Sequence, residues 1–198
     1  EVGLLIDDTA RTLLEDVVVF GYFPKAGTVI SSRPGNDDPD YNTWFGGSTM
    51  GKHGLALLGG SNPASHGLSG TRLFGTGLYT LDHHSRGSMT TEERIAYYAD
   101  ADTWSPLWID GAVDAGSAEI NGHYFYSCEI RTRANHSIRL GKASNVQFFG
   151  CVFESAMYGI PNSDTPTFIG SADVKRGVGF YGCRMNYQTM IFNDQFAG

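Results

Sequence analysis

Three segments of this chain repeat one six-residue frame. Phe125-Tyr126-Ser127-Cys128-Glu129-Ile130 aligns with Phe148-Phe149-Gly150-Cys151-Val152-Phe153, and both align with Phe180-Tyr181-Gly182-Cys183-Arg184-Met185. The order is apolar, aromatic, small, Cys, variable, apolar. The cysteines are 23 and 32 residues apart, and the longer gap contains the turn-rich stretch "PNSDTPTFIGSAD". Two earlier segments fit the frame without the cysteine, Val19-Phe20-Gly21-Tyr22-Phe23 and Leu73-Phe74-Gly75-Thr76-Gly77-Leu78. Eight residues past the Cys position a second register is expected to turn apolar, at Ile30 and in the stretches around His136, Gly159 and Ile191. Self-similarity at 20 to 30 residues with short strands, and no convincing helix in each repeat, predicts a parallel β-solenoid of five turns.

The small residue has a physical reason in such a fold. A chain passing from one sheet to the next must bend sharply, and Gly or Ser tolerates a bend that a bulky β-branched residue does not. Cysteine is small and apolar enough to stack inward on its counterpart one rung away, at about 4.8 Å. Strand alternation then sends Cys151 and Phe153 inward and Val152 and Glu154 outward. The outward positions stack as Glu129, Val152 and Arg184, and two residues on as Arg131, Glu154 and Asn186.

Composition agrees with an all-β architecture, with 26 glycines and 13% aromatic residues among 198. The net charge of −7 disfavours non-specific binding to nucleic acid or to an anionic membrane. No apolar run approaches the roughly 18 residues that cross a bilayer. Three cysteines cannot all pair, and each lies in an apolar stretch, so free buried thiols and folding in a reducing compartment are expected. Their spacing lacks the paired pattern of a zinc site, and no cofactor motif stands out.

Two insertions interrupt the rhythm, at about 31–54 and 81–116. The second includes a capping box, Thr90 with Glu93, that predicts a short helix over "RIAYYA". All three tryptophans, Trp44, Trp104 and Trp108, fall in these insertions. Long loops on a rigid scaffold are where partners usually bind. The pattern runs to both ends without a cap, so residues 1–198 are expected to be one β-helix domain excerpted from a longer chain.

The runs "ARTLLEDVVVFGYFPKAGTVI" and "ASNVQFFGCVFESAMYGI" resemble coils of the right-handed, single-stranded parallel β-helix of the pectate-lyase-like superfamily, especially those of bacteriophage tailspikes and tail fibres. The resemblance covers most of residues 1–30 and 117–195. It implies a homotrimer on a virion, assembled in the host cytoplasm and acting outside the cell. Such a protein recognises, and often cleaves, bacterial surface polysaccharide, and contacts other virion proteins through regions beyond this segment. A fold of this kind hosts many activities.

Glycoside hydrolysis usually takes two carboxyl groups, about 5 Å apart for retention and roughly 6.5 to 9.5 Å for inversion. Glu129 and Glu154, offset by one rung and two residues, are expected about 8 Å apart at Cα, which suits an inverting catalytic pair. The alternative is a charge ladder in which they pair with Arg131, Arg133 and Arg184. Aromatic rings beside acids suit sugars, whose C–H faces stack on rings while carboxylates accept hydroxyl protons. On that ground Tyr41, Trp44, Trp104, Trp108, Asp102, Asp110 and Arg131 are expected to bind substrate. The stretch "DADTWSPLWID" is the densest of this kind, with a loop packed down by its tryptophans as the alternative. No metal is expected at "DHH" (residues 82–84), because adjacent side chains on an extended segment point to opposite sides. "NHS" at Asn135 falls in a repeat strand and is discounted as a glycosylation site. Two competing functions are a non-enzymatic fibre or adhesin module, and a secreted polysaccharide lyase that would use Ca²⁺ and Arg131 or Arg184 as base.

Overall fold

The computed structural model describes residues 1–21, 23–32, 41–59, 68–80, 104–111, 120–132, 137–141, 143–155, 168–170 and 176–186. These residues form eighteen strands and no helix. Sheet A contains β1 (Val2–Asp7), β4 (Ala26–Ser31), β7 (His53–Leu58), β10 (Ser105–Asp110), β13 (Ile138–Leu140) and β16 (Phe168–Gly170). Sheet B contains β2 (Leu13–Glu15), β5 (Thr43–Phe45), β8 (Arg72–Phe74), β11 (Ile120–Tyr126), β14 (Ala143–Phe149) and β17 (Arg176–Tyr181). Sheet C contains β3 (Val18–Val19), β6 (Ser48–Gly51), β9 (Gly77–Thr80), β12 (Glu129–Thr132), β15 (Val152–Ser155) and β18 (Arg184–Asn186). Each strand pairs in parallel with the third strand before it and the third after it, so every sheet takes one strand from each repeat.

The six-residue frame is the passage from sheet B to sheet C. Its first position faces inward and stacks as Leu14, Trp44, Leu73, Phe125, Phe148 and Phe180. The small third position is Asp16, Gly46, Gly75, Ser127, Gly150 and Gly182, and all six have φ between +50° and +63°. Left-handed backbone costs glycine nothing and is tolerated by Asp, Asn and Ser more readily than by branched residues. Five of these corner amides donate to a carbonyl of the following repeat, as Ser127 N to Phe149 O at 2.8 Å, so the bend leaves no orphan donor there. A second left-handed column, Arg11, Tyr41, Gly70, Gly122, Asn145 and Gly177, marks the entry to sheet B.

Three sequence expectations change here. The frame occurs six times, because Leu14-Glu15-Asp16-Val17-Val18-Val19 and Trp44-Phe45-Gly46-Gly47-Ser48-Thr49 are the first two copies. Val19-Phe20-Gly21 is therefore five residues out of phase. The region 31–54 is only partly an insertion, since β5, β6 and the start of β7 are regular strands within it, and β10 likewise lies within 81–116. Sheet A does not begin a fixed eight residues past the Cys position, because Ile138 follows Cys128 by ten residues and Phe168 follows Cys151 by seventeen. His136, Gly159, Ile191 and the expected helix at Thr90–Glu93 lie outside the described residues.

All three sheets contribute to one core, which joins Leu55, Leu57 and Leu107 of sheet A to Phe125 and Phe148 of sheet B and to Ile130 and Phe153 of sheet C. Phe125, Phe148 and Phe180 stack at centroid separations of 4.8 and 5.0 Å, with Phe153 edge-on to Phe148 at 5.3 Å. The thiols stack as the frame predicts. Val152 N donates to Cys128 O and Arg184 N to Cys151 O, which places the three cysteines in register, and all three are free. Each S–H turns toward a carbonyl of the preceding repeat, Cys151 to Phe125 O at 3.3 Å and Cys183 to Phe148 O at 3.4 Å. The hydrogen bond to Cys128, together with burial, pushes the Cys151 thiol well above its ordinary range. A disulfide reagent must reach the sulfur, so Cys183, half-buried where Cys128 and Cys151 are buried, will react first with dithionitrobenzoate. Cys128 and Cys151 will react only as fast as the strands open. Three thiols titrating at one rate in the folded protein would contradict this packing.

Candidate functional site

The outer face of sheet C carries a linked set of polar side chains on three consecutive repeats. Gly77, Glu129, Val152 and Arg184 form one outward column, and Tyr79, Arg131 and Glu154 the next. The Tyr79 ring folds back over Gly77, where a β-carbon would fall 2.6 Å from Tyr79 Cζ, so only glycine leaves room for it. That pose lets Tyr79 Oη donate to Glu129 Oε2 at 2.7 Å. Burial, followed by the hydrogen bond to the Glu129 carboxylate, pushes the Tyr79 hydroxyl up to about 12, so it remains a donor across the neutral range. The Arg131 guanidinium pairs with Glu129 on its own strand and with Glu154 Oε2 at 2.9 Å on the next.

These side chains remain reachable from water, Arg131 at 40%, Glu129 at 37% and Glu154 at 29% of their full exposure. An exposed ion pair is worth little in stability, about 0 to 1 kcal/mol. The value of this arrangement is positional: backbone ladders fix the strands, Glu129 and Arg131 are each held by two neighbours, and Glu154 is held by Arg131. It presents carboxylate acceptors, guanidinium donors and a phenol within a few ångströms. As a catalytic pair, Glu129 and Glu154 have the Arg131 guanidinium between them, in the space that an inverting enzyme leaves for sugar and water. Of the expected charge-ladder contacts, those of Arg131 with both carboxylates are present, and Arg133 lies outside the described residues.

The other candidate residues lie elsewhere. Trp108 and Asp110 project from β10 on sheet A, where Trp108 is half-buried against His53 at 4.9 Å with Arg139 5.8 Å over its ring. Tyr41 is 52% exposed at the entry to sheet B, with Arg72 5.9 Å over its ring. Trp44 and Trp104, expected to bind substrate, are buried. Trp44, 1% exposed, takes the inward frame position of its repeat, and Trp104, 0% exposed, carries Lys52 over its ring at 5.0 Å. The Trp44 ring is packed into the common core, where a bulky apolar side chain is worth more than in water, and the Trp104 ring is covered outside that core. Asp102 lies outside the described residues. Among the described residues the expected ones are spread over three sheets, and Glu129, Arg131 and Glu154 come together on one of them, with Tyr79 added.

Sequence reasoning read the second frame position as aromatic but assigned it no outward stack. Phe45, Phe74, Tyr126, Phe149 and Tyr181 point outward from sheet B and stack at 4.7, 4.8, 5.0 and 4.9 Å with planes within 14° of parallel. The signal was present as the aromatic that follows the inward residue in five of six repeats. Among the described residues no group of three or more His, Cys, Asp or Glu side chains is placed to hold a metal ion. Comparison with protein-family models, with curated proteins and with solved structures finds no match for this chain.

Proposed function

We propose that this chain is the right-handed, single-stranded parallel β-helix of a bacteriophage tailspike or tail fibre, a homotrimer on the virion, and that it binds bacterial surface polysaccharide on the outer face of sheet C. The winding is supported by strict pairing with every third strand and by one core common to the three sheets. The observation that carries the binding is the Tyr79–Glu129–Arg131–Glu154 network, a row of fixed donors and acceptors on a rigid ladder. Sugar hydroxyls both donate and accept, so they match such a row, and pre-positioned groups lose little freedom on binding. Because Arg131 fills the gap between the carboxylates, binding without cleavage is the favoured reading, which is the adhesin function rather than the hydrolase.

The test mixes the full chain with purified capsule or O-antigen and measures binding together with product. Binding is expected with no new reducing ends and no unsaturated product absorbing in the near ultraviolet. Arg131→Ala should weaken binding by at least about tenfold, since hydrogen bonds to charged groups are among the stronger polar contacts. Failure of every polysaccharide to bind, or undiminished binding by Arg131→Ala and Glu154→Gln, would remove this surface from consideration. New reducing ends that vanish in both Glu129→Gln and Glu154→Gln would instead restore the acid pair.

A further inference from the structure

The stacked rings of sheet B stand beside an open trough. Its floor is the left-handed corner column, in which Gly75, Ser127, Gly150 and Gly182 are exposed. A β-carbon at Gly75 or Gly182 would meet nothing within 4 Å, and one at Gly150 would find its nearest atom, Ser127 Oγ, at 3.7 Å. One side is the row of rings from Phe45 to Tyr181, and the other is the first outward column of sheet C, Ser48, Gly77, Glu129, Val152 and Arg184. The trough crosses the strands and spans the four rungs from Gly75 to Gly182, ending where the Asp16 carboxylate sits over Gly46. Neither the ring column nor the floor contains a lysine or arginine. At the first-repeat end the ring column continues as Glu15 and the floor as Asp16, whose carboxylate overhangs Gly46. Arg184 stands at the opposite end.

We infer that this trough is a binding site for an elongated, planar aromatic cation lying parallel to the ring column. A flat rod about 15 Å long covers roughly three rung intervals of 4.8 Å, so the five-ring wall is long enough to line it throughout. Its long edge meets the exposed flanks of parallel rings, and a stacked column offers that contact without rearrangement. The polarity of the two ends sets the direction, with the cationic group toward Asp16 and Glu15 and away from Arg184. Four in-register rings are needed, because one or two cover only part of such a ligand. The inference does not rest on glycan binding, although Glu129 borders both surfaces.

Thioflavin T, a benzothiazolium cation, is the probe. Added to the monodisperse full chain separated by gel filtration, it should show saturable fluorescence enhancement with one site per chain. Tyr126→Ser, which interrupts the wall, should weaken binding by roughly three- to tenfold. Gly75→Asn keeps every ring and suits the left-handed backbone, yet places a side chain in the open trough, and should do the same. Asp16→Asn should weaken the cation, and a sulfonated planar dye of similar length should bind far less. The inference is overturned if enhancement follows only the aggregated fraction, if Tyr126→Ser and Gly75→Asn both bind as the parent does, or if the anionic dye binds equally well.

Discussion

Phe148→Ala will lower the free energy of unfolding by about 3 to 5 kcal/mol, the range for removing a fully buried aromatic ring and leaving its cavity. Phe148 is 0% exposed and stacks between Phe125 and Phe180, with Phe153 edge-on, so four rings on three repeats share one contact. The repeats above and below are held by backbone ladders and cannot close on the gap, which puts the loss toward the upper part of that range. Phe149→Ala is the control. Its ring points outward between Tyr126 and Tyr181, and losing it should cost about 1 kcal/mol. Urea unfolding of the two variants measures the difference, and equal losses would contradict the inward and outward assignment of the frame.

Acid will destabilise the protein from about pH 6.5 downward, the ordinary range of histidine. His123 is buried in the core, with no hydrogen-bond partner at either ring nitrogen, and burial lowers its pKa to about 3. His53 is lowered to about 4, first by burial and then by the charge of Arg139. A histidine with a depressed folded pKa supports the fold fully above its unfolded value, near 6.5. That support is lost as pH falls toward the folded value, because the unfolded chain takes up the proton first. Each unit of pH in this window costs about 1.4 kcal/mol per histidine, so His123 alone removes about 3 kcal/mol between pH 6.5 and 4. His123→Leu removes the titrating group and the unpaired nitrogens together, and its stability should fall less steeply over that interval by about one proton. An unchanged slope would show that His123 is protonated without cost in the folded state.

How much was legible in the residues differs from one part of the frame to another. Its corner could be read because left-handed backbone restricts the residue type, and its inward positions because a shared core requires apolar side chains there. The first two copies were hidden. Asp16 satisfies the corner without being glycine, Val17 and Gly47 stand where later repeats have cysteine, and Val19-Phe20-Gly21 imitates the frame out of phase. Sheet A was harder to place because the connection into it varies. His53 follows β6 after a single residue, whereas Ser105 follows the end of β9 by 25. No spacing rule survives that variation.

The amino-acid order alone determined the repeat, its corners and the alternation of faces, since these depend on a few neighbouring residues and on what a bend or a core position will accept. Only the tertiary structure decided that Arg131 lies between Glu129 and Glu154, that Trp44 and Trp104 are buried, and that five aromatic rings form one wall. Those outcomes depend on the register between repeats some 20 to 50 residues apart, which is set when backbone ladders and packed side chains form together.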